Sequence, residues 1–154
     1  MNKAGSKITD LSNRLHRRGA LTQVGVMGLL GALGSFSLPP ILMFPAVLAF
    51  IPFLIHISNC KSIWRAVLFF WGFAFGWFAA SLYWISASLF VDISWEILIL
   101  PLSLFALPAF LSLFWGLAGF FVYRIGRTAE SRLIYAALFI GLAELLRSVL
   151  FTGF

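Results

Sequence analysis

Charged residues are scarce in this chain of 154 amino acids: Asp, Glu, Lys and Arg make up 10% of it, whereas 62% is hydrophobic. A soluble domain of this length carries about 25% charged residues, because its surface faces water. The mean hydropathy is +1.01, and apolar runs recur that reach roughly the 18 residues of a membrane-spanning helix. The composition therefore excludes a soluble globular protein and indicates an all-α membrane protein.

Cysteine and histidine are also rare, with one Cys and two His in the chain. The single cysteine, Cys60, excludes a disulfide framework. His16 and His56 lack the spacing of metal ligands, and no glycine-rich phosphate loop follows a strand pattern. The basic neighbour Lys61 would favour a Cys60 thiolate, but no glutamate lies in this loop, so we interpret Cys60 as an incidental free thiol. The sequence predicts no cofactor, no metal site and no catalytic residue.

Acidic residues are fewer than basic ones, with 5 Asp and Glu against 11 Lys and Arg and a formal net charge of +6. A basic protein of this kind is a candidate for nucleic-acid binding. The basic residues, however, stand in short clusters between apolar runs, which is the pattern of membrane topology. We therefore predict no nucleic-acid partner.

Apolar stretches predict a polytopic transmembrane bundle of about five helices. A basic segment covers residues 1–20, and the transmembrane domain covers 21–154. The predicted spans lie at about 21–38, 41–57, 66–90, 97–123 and 133–151. Pro39 and Pro40 separate the first two spans, because neither has a backbone N–H group with which to continue a helix.

The distribution of basic residues predicts the orientation. Ten of the eleven Lys and Arg residues lie in residues 1–20, in the loop around 58–65 and in the loop around 124–132. The loop at 91–96 carries Asp92 and Glu96 and no basic residue. Since cytoplasmic loops carry the excess of Lys and Arg, the N-terminus is predicted to be cytoplasmic.

Two ionisable residues stand inside the fifth predicted span. Glu144 and Arg147 are three residues apart and hence on one helix face. Each charge costs roughly 2.5–3.5 kcal/mol at a helix centre, and intramembrane ionisable residues are functional candidates by default. The alternative is a structural pair in which Arg147 extends toward the interface and Glu144 holds it. The sequence leaves both interpretations open.

Small and aromatic residues mark further surfaces. Gly72, Gly76 and Ala80 repeat every four residues and predict one smooth helix-packing face. The glycines of the first span recur every three residues and so drift around that helix; they are Gly25, Gly28, Gly31 and Gly34. Tyr83 and Trp84 lie toward the outer end of the third span, as interface residues do, and we consider a lipid-contacting role for them beside the structural one. Trp71 and Trp77 are the other aromatic candidates of that span for a ligand cage.

Three stretches in this order resemble a known family. Phe36–Pro40 closes a glycine-rich first span, Phe70–Gly76 and Leu82–Ile85 lie in the third, and Glu144–Arg147 is followed by Phe151–Phe154. They resemble the amino-terminal membrane half of bacterial apolipoprotein N-acyltransferases, in which an E-x-L-R segment leads into a Thr-Gly-Phe-Pro-Trp motif. The matching scaffold positions are Trp71, Gly72, Gly76, Tyr83, Trp84, Glu144, Arg147, Thr152, Gly153 and Phe154.

The resemblance implies a monomeric, multi-pass enzyme of the bacterial inner membrane that acts in lipoprotein biosynthesis. Such an enzyme moves an acyl chain from phospholipid to the N-terminal amine of a diacylglyceryl-cysteine apolipoprotein. A Glu–Lys–Cys set in a periplasmic nitrilase-like domain performs this by covalent catalysis. No residue here matches that set, so the resemblance implies that the chain is truncated before the catalytic domain and is inactive alone.

Two other functions remain as alternatives. A small polytopic membrane subunit would bind or assemble without chemistry of its own. A transporter fragment would use Glu144 and Arg147 as a polar pathway, although transporters usually place polar residues at the membrane midplane on several helices.

Overall fold

The computed structural model describes residues 19–39, 41–83 and 102–151. Five α-helices occur in these ranges, and they are α1 (Ala20–Ser35), α2 (Phe50–Ser58), α3 (Ile63–Ser81), α4 (Leu107–Ile125) and α5 (Ala129–Leu150). A 3₁₀ segment, Phe44–Ala49, leads into α2, and a π-helical turn, Leu102–Ala106, leads into α4. Since these ranges contain no strand, the predicted all-α class is confirmed.

Three helical segments are long and apolar enough to cross a membrane. They are Ile63–Ser81, Leu104–Ile125 and Ala129–Leu150. Helix α1 and the continuous segment Phe44–Ser58 are apolar but shorter. The architecture is thus a bundle of membrane helices, and the count of five spans stays a prediction.

The helices begin and end at positions that differ from the predicted spans. Helix α5 begins at Ala129 instead of 133 because Thr128 caps it: the Thr128 hydroxyl accepts the backbone N–H of Ser131 at 3.1 Å, and the Ser131 hydroxyl accepts that of Thr128 at 3.0 Å. Helix α1 ends at Ser35, four residues before Pro39. The second predicted span starts irregularly, since Leu42 has a φ of 52°.

Helices α1 and α3 touch through glycine. A Cβ atom on Gly76 would overlap the carbonyl oxygen of Gly28 and lie 2.9 Å from its Cα, and a Cβ on Gly72 would lie 2.8 Å from the Val24 side chain. The predicted smooth face of α3 therefore packs against α1. On α1, Gly31 also meets α3 at the Phe73 carbonyl, whereas Gly25 has open space around it.

Phenylalanine fills the core between α2, α3 and α4. Phe53, Phe69, Phe70 and Phe73 are completely or almost completely buried. The ring centroids of Phe53 and Phe73 are 4.3 Å apart, and Phe73 in turn stacks on Trp115 of α4 at 6.0 Å. This aromatic core fixes the Trp115 ring on the inner face of α4.

The two basic loops that were predicted to share one side of the membrane lie at the same end of the bundle. The Arg132 guanidinium donates through Nη1 to the carbonyls of Ser58, at 3.2 Å, and Cys60, at 2.6 Å. The Tyr123 hydroxyl donates to the Lys61 carbonyl at 2.9 Å. We call these contacts the loop clamp. The clamp holds the α2–α3 loop against the α4–α5 loop.

Candidate functional site

Helix α5 carries the ionisable pair that the sequence singled out. Glu144 and Arg147 are one turn apart, and Nη2 of Arg147 donates to Oε2 of Glu144 at 2.6 Å. The Nε of Arg147 donates to the same oxygen at 3.2 Å. The Arg147 side chain is 17% exposed and the Glu144 side chain 36%. The two residues therefore pair with each other. The sequence alone did not show whether they would.

Two other helices meet this pair. Trp115 of α4 donates its indole N–H to Oε1 of Glu144 at 2.6 Å. The Arg147 guanidinium lies over the Phe78 ring of α3, 5.3 Å from the centroid, in a cation–π contact. We call Phe78, Trp115, Glu144 and Arg147 the ion-pair cluster. It joins α3, α4 and α5 through one continuous set of contacts.

The ion-pair cluster lines a pocket of about 700 Å³, which we call the central pocket. A site of this size matches those that hold small molecules, which span about 300–1,000 Å³. The remaining lining residues are Leu38, Phe50, Trp77, Ser81, Leu82 and Ile140. Most of the wall is thus apolar. The described lining residues whose side chains carry a polar group are Trp77, Ser81, Trp115, Glu144 and Arg147.

The arrangement is suited to binding more than to covalent chemistry. Both Glu144 oxygens accept hydrogen bonds from neighbours within the protein, one from Trp115 and one from Arg147. Among the described residues that line the central pocket there is no cysteine, histidine or lysine. An apolar wall with a few fixed polar groups is the usual design of a binding site.

The other predicted candidates lie apart from the central pocket or outside the described residues. Tyr83, just after α3, is 53% exposed and does not line the pocket. Trp84 lies outside the described ranges. Trp77 does line the pocket, whereas Trp71 donates its indole N–H to the Ala109 carbonyl at 3.1 Å and so ties α3 to α4.

Trp115 is the residue of the candidate site that sequence reasoning missed. It stands in an apolar helix 29 residues before Glu144. A usable signal was present, because a buried indole N–H needs an acceptor and Glu144 is an acceptor in the following helix.

Cys60 lies in the α2–α3 loop, away from the central pocket. It is buried, with 3% of its surface exposed, and its thiol donates to the Ser62 carbonyl at 3.3 Å. Burial raises the pKa of the Cys60 thiol, and this outweighs the opposing effects of Arg132 and Arg65. In the part of the chain that the structure describes, no group of three or more His, Cys, Asp or Glu side chains is placed to hold a metal ion.

We expect Cys60 to react slowly with maleimides at neutral pH, at a rate at least about tenfold below that of an exposed thiol, because only the thiolate reacts. Since the pKa is raised, the thiolate fraction grows only as the pH rises beyond the range in which an ordinary thiol ionises. Labelling rates measured from pH 7 to 10 by mass spectrometry check this. The matched control is Asn59→Cys in a Cys60→Ser background, because Asn59 is the exposed neighbour. Equal rates for the two thiols would contradict the prediction.

Fold and site together define a class: a membrane helix bundle with an ion-paired pocket between its helices. The family model described as the apolipoprotein N-acyltransferase N-terminal domain matches residues 30–154. That match covers most of the chain. The protein therefore belongs to the apolipoprotein N-acyltransferase family and corresponds to the N-terminal part of its members.

Curated relatives of this chain carry the name of the same family. An apolipoprotein N-acyltransferase of Rhizobium rhizogenes is 34% identical over 136 residues, which is 82% of this chain and 26% of the relative. That of Brucella suis is 32% identical over 134 residues, 80% of this chain and 25% of the relative. That of Rhizobium meliloti is 29% identical over 154 residues, 94% of this chain and 29% of the relative. The chain thus spans about a quarter of the length of these relatives.

Proposed function

We propose that this bundle is the membrane part of an enzyme that transfers an acyl chain from phospholipid to the N-terminal amine of diacylglyceryl-cysteine lipoproteins. The match of residues 30–154 to the N-terminal domain of the acyltransferase family carries this proposal. The catalytic residues belong to other parts of such an enzyme, and residues 1–154 alone are inactive. The enzyme works as a monomer in the bacterial inner membrane.

The central pocket receives a lipid chain in this proposal. Its wall combines Phe50, Trp77 and Leu82 with Ile140 of α5, and apolar side chains of this kind bind hydrocarbon through the surface they remove from water. Helix α5 leaves large side chains such as Leu138, Leu145 and Val149 exposed, which suits a helix that borders the lipid. The central pocket is thus the place in which the bundle holds an acyl chain in this proposal.

The proposed orientation places the N-terminus in the cytoplasm, residues 1–20 as a basic cytoplasmic segment, and about five spans within residues 21–154. The positions of the Lys and Arg residues support it, and so does the loop clamp, which keeps both basic loops at one end. In this orientation α5 runs outward, so that its last turn, with Arg147, lies toward the periplasmic side.

A chimera tests the proposed function. Residues 1–154 replace the matching part of the Rhizobium rhizogenes relative, and membranes containing the chimera are supplied with phospholipid and a diacylated lipopeptide. We expect the lipopeptide to gain one acyl chain, seen as a mass shift. Residues 1–154 expressed alone are expected to give no mass shift.

Two outcomes would contradict the proposal. One is a chimera that inserts stably but leaves the lipopeptide unchanged while the intact relative modifies it. The other is acyl transfer by residues 1–154 alone. The transporter alternative is not favoured, because the charged residues that line the central pocket both lie on α5 and are bonded to each other.

A further inference from the structure

Positive charge collects at the end of the bundle where the loop clamp holds the α2–α3 loop against the α4–α5 loop. The acidic residues of the described ranges are Glu130, which lies at this end, and Glu144, which lines the central pocket. Five basic residues stand against Glu130, so this end has a net charge of +4. We call the five residues the basic patch, and they are Lys61, Arg65, Arg124, Arg127 and Arg132.

Helix packing and the loop clamp place the two halves of the basic patch at the same end. A Cβ atom on Gly119 would lie 2.9 Å from the Ala66 carbonyl oxygen, so the last turns of α4 pack against the first turn of α3. Arg65 in that first turn therefore lies at the same end as Arg124 in the last turn of α4. Arg132, through its bonds to the α2–α3 loop, joins the two halves.

The charges of the basic patch are not compensated within the part of the chain that the structure describes. Arg132 bonds to neutral groups, because its Nε donates to the Gly126 carbonyl at 3.0 Å and its Nη1 donates to the carbonyls of the α2–α3 loop. The other four side chains are exposed, and none of them forms a salt bridge with a described carboxylate. Like charges held together repel each other, so this end favours an anion that comes from outside the chain.

Exposed apolar side chains border the basic patch. Trp64, beside Arg65, is 74% exposed, and Ile134, two residues after Arg132, is 69% exposed. Tryptophan is enriched where a membrane meets water. An anionic phospholipid fits both features, since its phosphate meets basic side chains while its acyl chains cover apolar ones. Nucleic acid supplies the phosphate but no hydrocarbon. Basic pockets between membrane helices are known to hold phospholipid head groups that carry several negative charges.

We propose that the basic patch binds an anionic phospholipid of the adjoining membrane leaflet, and that a head group with two phosphates binds more tightly than a head group with one. Each of the two loops supplies basic side chains, so two linked phosphates can contact both loops at once. The site lies apart from the central pocket, because Arg65 and Phe78 are 13 residues apart on α3, which is about 20 Å along a helix. The inference is therefore independent of the proposed acyl transfer.

Native mass spectrometry of the whole chain in a non-ionic detergent tests this inference. Cardiolipin, phosphatidylglycerol and phosphatidylethanolamine with the same acyl chains are added in equal amounts, and the mass identifies each bound lipid. We expect most binding for cardiolipin, which has two phosphates, less for phosphatidylglycerol, and least for phosphatidylethanolamine, which has no net charge. The preference is expected to weaken as the concentration of ammonium acetate is raised, because salt screens exposed charges.

Variants at exposed positions change the charge of the basic patch. Arg65→Gln with Arg127→Gln removes one charge from each loop and leaves the side chains of the loop clamp in place. We expect this variant to bind cardiolipin about 25-fold more weakly, at roughly fivefold for each basic residue near anionic lipid. Arg65→Lys with Arg127→Lys is the matched control, and it is expected to keep the wild-type order of the three lipids. Glu130→Gln raises the net charge and is expected to bind cardiolipin more tightly.

Several outcomes would overturn the inference. One is a wild-type protein that binds phosphatidylethanolamine as well as it binds the two anionic lipids, and this result needs no variant. Another is an unchanged preference for cardiolipin in the double glutamine variant, or the loss of that preference in the double lysine variant. If short double-stranded DNA displaced cardiolipin at an equal phosphate concentration, the partner would be a nucleic acid and the assignment to lipid would be wrong. The chimera measures acyl transfer separately from all of these results.

Discussion

Replacing Gly76 by alanine is expected to separate α1 from α3 and to lower the free energy of unfolding by about 3 kcal/mol, the upper part of the range for overpacked sites. The added Cβ would overlap the Gly28 carbonyl oxygen. Backbone cannot swing aside as a flexible side chain can, so one helix must shift. Thermal unfolding in detergent, monitored by size-exclusion chromatography, measures the loss of stability.

Gly141→Ala is the matched control for this prediction. Gly141 also lies within a membrane helix, but a Cβ there meets nothing within 4 Å. Alanine has the higher helix propensity by about 1 kcal/mol, so this variant is expected to be as stable as the wild-type protein or slightly more so. If Gly76→Ala and Gly141→Ala behaved alike, the close contact between α1 and α3 would be refuted.

Arg147→Leu is expected to destabilise the protein by about 2 kcal/mol. Breaking a buried ion pair from one side costs about 3–5 kcal/mol because a charge is left without compensation, and the value here is smaller because Glu144 is partly exposed. The Trp115 N–H would remain the donor to the Glu144 carboxylate. Unfolding by sodium dodecyl sulfate, followed by circular dichroism, gives the change.

The double variant Arg147→Leu with Glu144→Leu completes this test. An ion pair replaced by apolar residues of similar volume often leaves stability nearly unchanged. We therefore expect the double variant to lie within about 1 kcal/mol of the wild-type protein, so that the coupling energy of the cycle is large. Additive effects of the two single changes would show that the pair contributes nothing.

The helical class and the ionisable pair follow from local sequence. Composition and long apolar runs indicate membrane helices, and a spacing of three residues places Glu144 and Arg147 on one face. The smooth face of Gly72 and Gly76 is local in the same way. These features were predictable because each depends on residues within about one or two turns of one helix.

Contacts between helices could not be predicted from the local sequence. The bond from Trp115 to Glu144 and the position of Phe78 under Arg147 depend on how three helices cross. The first turn of α5 was missed because three of its four residues are polar, while the predicted start at 133 was taken from the first apolar run. The structure shows that the Thr128 cap defines the start. The crossing of α1 and α3 also determines which glycines of α1 face α3. Gly28 and Gly31 contact α3 and Gly25 does not, and their spacing in the sequence does not show this difference.

The loop clamp has a consequence for the order of events during synthesis. The ribosome makes Cys60 72 residues before Arg132, the residue whose side chain binds its carbonyl. During that interval the Ser58 and Cys60 carbonyls, which Arg132 later binds, depend on water for those hydrogen bonds. A chain emerges at about 5–20 residues per second. Several seconds therefore pass between the synthesis of the α2–α3 loop and that of Arg132, whose side chain binds it.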